Sequence, residues 1–144
     1  MTAAHRNVMH FIGGDEVQST SGRTFPTLNP ATGEQIGAAA FGEPGDVDRA
    51  VEAAWQAFAY WRDAPVAERA ACLRRVALLI RERAEEIARL EAIDAGKPIV
   101  DARGEVETAA CLLEYAATLP QNVRGHVYPQ TPGYFEISFI VDVQ

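Results

Sequence analysis

Cys72 and Cys111 are the first candidates for nucleophilic chemistry in this 144-residue sequence. A thiolate nucleophile needs a lowered pKa beside an open pocket. Both cysteines instead fall within stretches of helical periodicity, among alanines and leucines, where a free thiol packs as a small hydrophobe. The sequence therefore predicts two inert thiols turned toward a core. They are far apart and lack metal-ligand spacing, and the histidines His5, His10 and His126 have no partners at ligand spacing either. Solvated imidazoles are expected. Glu91, Asp94 and Lys97 form the sharpest polar cluster, which reads from spacing alone as partly solvated charges at a helix end. Gly13-Gly14 and Gly42-x-x-Gly45 lack the strand, GxGxxG loop and helix order that cradles a phosphate, so turn chemistry explains both.

Charge narrows the classes of partner. Twenty acidic against thirteen basic side chains leave a formal charge of −7. Such an excess repels phosphate backbones and anionic lipids, and the arginines are interleaved with glutamates, so neither nucleic acid nor membrane is expected as a partner. No apolar run reaches the length of a signal peptide or the roughly 20 residues of a bilayer span. With two unpaired-looking cysteines, a reduced, cytoplasmic setting is the plain expectation. An apolar content of 48% is that of a globular chain, not a disordered one.

The elements that must position these residues follow from periodicity and punctuation. His10-Phe-Ile12, Gly13-Gly14 and Glu16-Val17 give a hairpin signal. Residues 24–28 and 35–39 flank Asn29-Pro-Ala-Thr-Gly33, whose proline and glycine favour a tight reversal. Beyond Glu43-Pro44-Gly45 the period changes: Val47, Ala50, Val51, Ala54, Phe58 and Trp61 share one helical stripe, with Asp46 and Asp48 near the positive end of the dipole. This helix should end near Arg62, ahead of Pro65. Pro65 suits the first position of a second helix whose buried stripe runs through Ala70, Leu73, Val76, Ala77, Ile80, Ala84, Ile87 and Leu90. The run is long enough to break near Arg83, and Glu85 and Arg89 make a favourable i,i+4 pair. Gly96 and Pro98 stop it. A third helix spans about 101–119 on Val106, Ala110, Leu113 and Ala117. Residues 134–144 then alternate as a strand, with Phe135, Ile137, Phe139, Val141 and Val143 on one face.

Several of these stretches, in order, resemble the aldehyde dehydrogenase superfamily. Phe25-Pro-Thr-Leu-Asn-Pro-Ala-Thr-Gly-Glu34 is similar to its opening strand-turn-strand. Asp46-Val-Asp-Arg-Ala-Val-Glu-Ala-Ala54 with Ala57, Phe58 and Trp61 looks like its first helix. Glu68-Arg-Ala70, Leu73 and Leu78-Leu-Ile-Arg-Glu-Arg83 match its second. Leu90-Glu-Ala-Ile-Asp-Ala-Gly-Lys-Pro98 resembles its acidic, glycine, lysine, proline signature. Gly125, Pro129 and Pro132-Gly-Tyr-Phe135 resemble the segment before its oligomerisation strand. Each fragment alone is weak, and the ordered set over residues 10–137 is specific. The broad-specificity and betaine-aldehyde branches are the nearest in character.

The resemblance implies an α/β fold, of which this chain carries N-terminal β-hairpins, about three amphipathic helices and a terminal strand. Residues 1–123 would belong to the NAD(P)-binding domain and 124–144 to the start of the oligomerisation arm. From about residue 138, Ser138-Phe-Ile-Val-Asp-Val-Gln144 departs from the family's arginine-glutamate-proline stretch, as a truncation, a frameshift or a foreign tail would make it. The family oxidises aldehydes to acids with NAD or NADP through a cysteine thiohemiacetal and a water-activating glutamate. Those two residues and the dinucleotide-binding loops lie beyond position 144, so the isolated chain is expected to be inactive. In relatives, a carboxylate matching Asp94 and backbone carbonyls matching Thr27 and Leu28 help hold a structural Na⁺ or K⁺, which suits a hard cation's preference for oxygen. Expected partners are further copies in a homo-oligomer or a full-length dehydrogenase subunit, with an aldehyde substrate only in the complete enzyme.

Two other readings stay open: a non-catalytic assembly module docking onto full-length dehydrogenase subunits through 134–143, and an independent small α+β binding domain. The helices' apolar flanks favour the enzyme-fragment reading over both. At roughly 25 cal/mol per Å², several hundred Å² of missing cover is worth on the order of 10 kcal/mol, comparable to a domain's net stability. A marginally folded or self-associating chain is the physical expectation.

Overall fold

In the computed structural model, residues 6–122 are described. The predicted strand at 134–144, the arm at 124–144, His5 and His126 lie outside them. Five short strands precede four helices: β1 (Arg6–Val8), β2 (His10–Ile12), β3 (Asp15–Val17), β4 (Thr24–Leu28), β5 (Gln35–Ala40), α1 (Pro44–Asp63), α2 (Val66–Glu82), α3 (Ala84–Ala95) and α4 (Ile99–Ala116). A 3₁₀ turn, Leu119–Asn122, follows α4.

Both predicted hairpins form. Gly13 and Gly14 take φ of 64° and 97°, the two successive positive angles that a two-residue hairpin turn needs. They pair β2 with β3 in the register His10↔Val17 and Ile12↔Asp15. β4 pairs antiparallel with β5, with an irregularity between Thr27 and Leu28 where Gly37 and Gln35 are the respective partners. The intervening Ile36 is the extra residue of a bulge. β1, which no local pattern announces, adds in parallel to β5 and completes the order β1-β5-β4.

Three predicted helices become four because the second breaks at Arg83. That residue leaves helical geometry (φ −112°, ψ 18°), closing α2 and opening α3 at once. Its N–H still reaches Leu79 O at 3.1 Å and Ile80 O at 3.3 Å, so the break leaves no backbone donor unpaired there. Gly96 ends α3 in the left-handed conformation, and α4 starts two residues before the expected 101.

The core lies among α2, α3 and α4 and is built from small residues. Ala88, Ala102 and Val106 are buried, with Ile80, Ala84, Ile87, Ala92 and Ile99 packed around them. Ala70, Ala77, Ala110 and Ala117 are also buried, and no large side chain among the described residues is fully so. Alanine lets helix backbones approach closely but removes little apolar area from water. The expected burial of whole stripes therefore needs correction. Val76 and Leu90, read as part of the buried stripe of the second helix, are 40% and 44% exposed. On α1, where the sequence marked only a shared stripe, Val47, Val51 and Trp61 are 57%, 50% and 41% exposed. Helical spacing marked the apolar faces correctly, and the described chain covers them only in part.

Candidate functional site

The residues singled out by the carbonyl-and-carboxylate reading sit on two elements brought together by a glycine. Thr27 and Leu28 end β4 at its bulge, and the turn Asn29–Gly33 follows directly. Within that turn, Gly33 N–H donates to Asn29 O at 2.7 Å and Ala31 N–H to Asn29 Oδ1 at 2.9 Å. The turn rests on the α3–α4 junction: a Cβ built on Gly96 would lie 2.7 Å from Pro30 Cγ and 3.3 Å from Ala31 N. Asp94 is two residues before this contact, in the last turn of α3, exposed and without an ion-pair partner among the described residues. The chain thus carries the end of β4 and its turn to the helix end that bears Asp94.

Lys97 does not join Asp94. Its Nζ lies 2.7 Å from Glu91 Oε1 and 2.5 Å from Glu105 Oε2. Glu105 first, then Glu91, hold the ammonium charged and push its pKa up to about 12. Of the cluster expected from spacing, Glu91 and Lys97 meet and Asp94 stands apart; Glu105, from α4, was not anticipated.

A second network ties α2 to α4. Arg81 donates to Glu114 Oε1 at 2.6 Å and to Glu107 Oε1 at 2.9 Å. Glu114, then Glu107, raise the guanidinium pKa, and Arg81 lowers that of both carboxyls. Cys111 joins the edge of this network, donating its S–H to Glu107 Oε1 at 3.4 Å. Both thiols prove exposed, which corrects the core-facing expectation. Their neighbours in sequence are apolar, but Ala110 and Ala77 take the inward positions on α4 and α2. Neither cysteine lines the groove between the β2–β3 turn and α1, and the Glu107 carboxylate beside Cys111 is engaged by Arg81.

The most buried carboxylate, Asp46, was read from sequence only as a dipole partner. Its side chain is 3% exposed. Glu43 N–H donates to Asp46 Oδ2 at 3.0 Å, Thr20 N–H to Oδ1 at 3.1 Å, Ser19 Oγ to Oδ2 at 3.3 Å and Arg49 Nη2 to Oδ1 at 2.7 Å. The Thr20 hydroxyl also donates to Oδ1. The Thr20 hydroxyl above all, then the Glu43 amide, hold this carboxyl far below the usual carboxylate range. His10, expected to be solvated, has its Nε2 buried without a hydrogen bond, 3.7 Å from Asp46 Oδ2. The residue belongs to β2, which packs on α1 and so withdraws the imidazole from water. A carboxylate with its lone pairs so fully engaged secures the start of α1 to the 19–20 loop; it has no free electron pair for base catalysis.

An open groove between the β2–β3 turn and α1 is lined by Phe11, Ile12, Gly13, Gly14 and alanines of α1. It offers no titratable group. Among the described residues, no cluster of three or more His, Cys, Asp or Glu is placed to hold a metal, and no helix is long and apolar enough to cross a membrane. A site built from carbonyls and one carboxylate is not addressed by such a cluster.

Comparison with known proteins agrees with this architecture. The chain is 40% identical over 124 residues to malonate-semialdehyde dehydrogenase 2 of Geobacillus thermodenitrificans, covering 86% of this chain and 26% of that protein. Its fold superposes on HpcC from Thermus thermophilus with a TM-score of 0.83 at 40% identity, covering 87% of this chain and 24% of the other. An NAD-dependent aldehyde dehydrogenase from Sinorhizobium meliloti gives a TM-score of 0.83 at 34% identity, over 88% of this chain and 26% of its own. The chain thus spans about a quarter of the length of these relatives. The sequence profile of the aldehyde dehydrogenase family matches residues 17–141, and the chain belongs to that family.

Proposed function

We propose that this chain is the N-terminal, structural quarter of an NAD(P)-dependent aldehyde dehydrogenase and does not turn over substrate by itself. One observation carries the reading: a match through residues 17–141 to a family of whose relatives the matched stretch covers only about a quarter. The family's reaction joins a cysteine thiolate to the aldehyde carbon, transfers hydride to nicotinamide, and releases the acid with water activated by a glutamate. The described residues do not fit the cofactor. Their paired glycines form a hairpin turn, with Gly13 against Ala53 of α1, and not a phosphate-binding loop. Nor do the cysteines fit the nucleophile, since each lies exposed on a helix, and the carboxylate beside Cys111, Glu107, is engaged by Arg81. Malonate semialdehyde or a related short semialdehyde is the substrate class suggested by the curated relative's name.

The part this quarter contributes is scaffolding. Thr27 and Leu28 carbonyls with the Asp94 carboxylate form a site for a structural Na⁺ or K⁺, pinning β4 to the end of α3. The contact of Gly96 with Pro30 and Ala31 supports it. Oxygen dipoles and a single negative charge suit a monovalent cation. Assembly follows the family pattern, in a homo-oligomer or with a full-length dehydrogenase subunit through 134–143, in the cytoplasm. An independent binding domain is disfavoured by a core with no large, fully buried side chain among the described residues.

A chimera tests the reading. Residues 17–141 of this chain replace the matched quarter of the Geobacillus relative, and aldehyde-dependent NADH formation is measured. The chimera should be active and the 144-residue chain alone inactive. Aldehyde oxidation by the chain alone, or a folded chimera without activity, refutes the proposal.

A further inference from the structure

We draw no further inference here: the strongest candidate, the buried Nε2 of His10 on β2 beside the Asp46 carboxylate at the start of α1, belongs to the tether already described, in which Glu43, Thr20, Ser19 and Arg49 take the Asp46 lone pairs and leave none for a ligand or a switch.

Discussion

Substituting Gly96 by alanine tests whether the β4–β5 turn is locked to the helix layer by a single close approach. Gly96 sits at φ 67°, ψ 21°. An L-residue in the left-handed region costs about 1–2 kcal/mol. The added methyl also meets Pro30 Cγ at 2.7 Å and Ala31 N at 3.3 Å. Neither neighbour is a flexible side-chain tip: one belongs to a proline ring and the other to main chain. Relieving such overpacking costs roughly 1–3 kcal/mol. The sum, about 2–5 kcal/mol, is large against the 5–15 kcal/mol of a typical domain. Gly33→Ala supplies the control. Its φ is 74°, yet nothing lies within 4 Å of the built Cβ, so it bears the conformational term of about 1–2 kcal/mol alone. Urea unfolding followed by circular dichroism, at matched m-values, should place Gly96→Ala below Gly33→Ala by about 1–3 kcal/mol. Equal losses for the two variants would refute the reasoning, because they would show that the turn moves away without resistance. In the active chimera, the same pair of variants separates fold from ion: a K⁺- or Na⁺-dependent rise in Tm should survive Gly33→Ala and vanish in Gly96→Ala.

Asp46→Asn replaces one of the acceptor oxygens with a donor facing the Thr20 and Glu43 amides and the Ser19 hydroxyl. Differential scanning should show a Tm lower by several degrees, against almost no change for Asp48→Asn, whose carboxylate is exposed. Glu85, paired with Arg103 at 2.9 Å and Arg89 at 2.8 Å, has its pKa lowered to about 2 from an ordinary 4.5, with Arg103 the larger cause. A depressed folded pKa stabilises above the unfolded value and loses that contribution as pH falls. The stability gap between the chain and Glu85→Gln should therefore be full above about pH 4.5 and close by about pH 2. A gap independent of pH in urea titrations would show that the two arginine contacts do not act in solution.

What sequence disclosed and what it hid divide along the range of the interactions involved. Helix starts and stops were legible because proline and glycine act locally: Pro65 and Gly96 fall where α2 begins and α3 ends, while Pro98, read only as a stop, also caps the start of α4. The Gly13-Gly14 hairpin was legible for the same reason. β1 was not. Three residues, Arg6–Val8, form a strand only because Gly37, Ala38 and Ala39 lie beside them, and nothing in their own spacing says so. The role of Asp46 was hidden likewise, since its acceptor duties serve Thr20, 26 residues earlier in the chain. Arg81 and Glu107, also 26 residues apart, show the same limit. Periodicity identified the apolar faces but is blind to what covers them, which is why Val76 and Leu90 were expected inside and are 40% and 44% exposed. Cys72 and Cys111 were misjudged by composition: apolar neighbours in sequence do not fix which side of a helix a residue occupies.

A division between small and large hydrophobics explains why so many of these faces are open without the helices falling apart. The inward positions of α2, α3 and α4 are mostly alanines, buried to 1% or less at Ala70, Ala77, Ala88, Ala102, Ala110 and Ala117. Close backbone approach at those positions, with the ion pairs of Arg81, Arg103 and Lys97 spanning the helices, sets the relative placement of α2, α3 and α4. Such pairs are exposed and individually weak; their value is in selecting one register among several that alanine alone would permit. The larger side chains point elsewhere, Val51 and Trp55 on α1 and Leu112, Tyr115 and Leu119 on or just after α4 among them. These larger side chains thus contribute little to the internal core. Geometry among these helices is set by small residues and charge, whereas the larger apolar side chains of α1 and α4 keep much of their surface exposed. A helix layer made this way takes its relative placement from close backbone contact and ion pairs more than from the burial of large side chains.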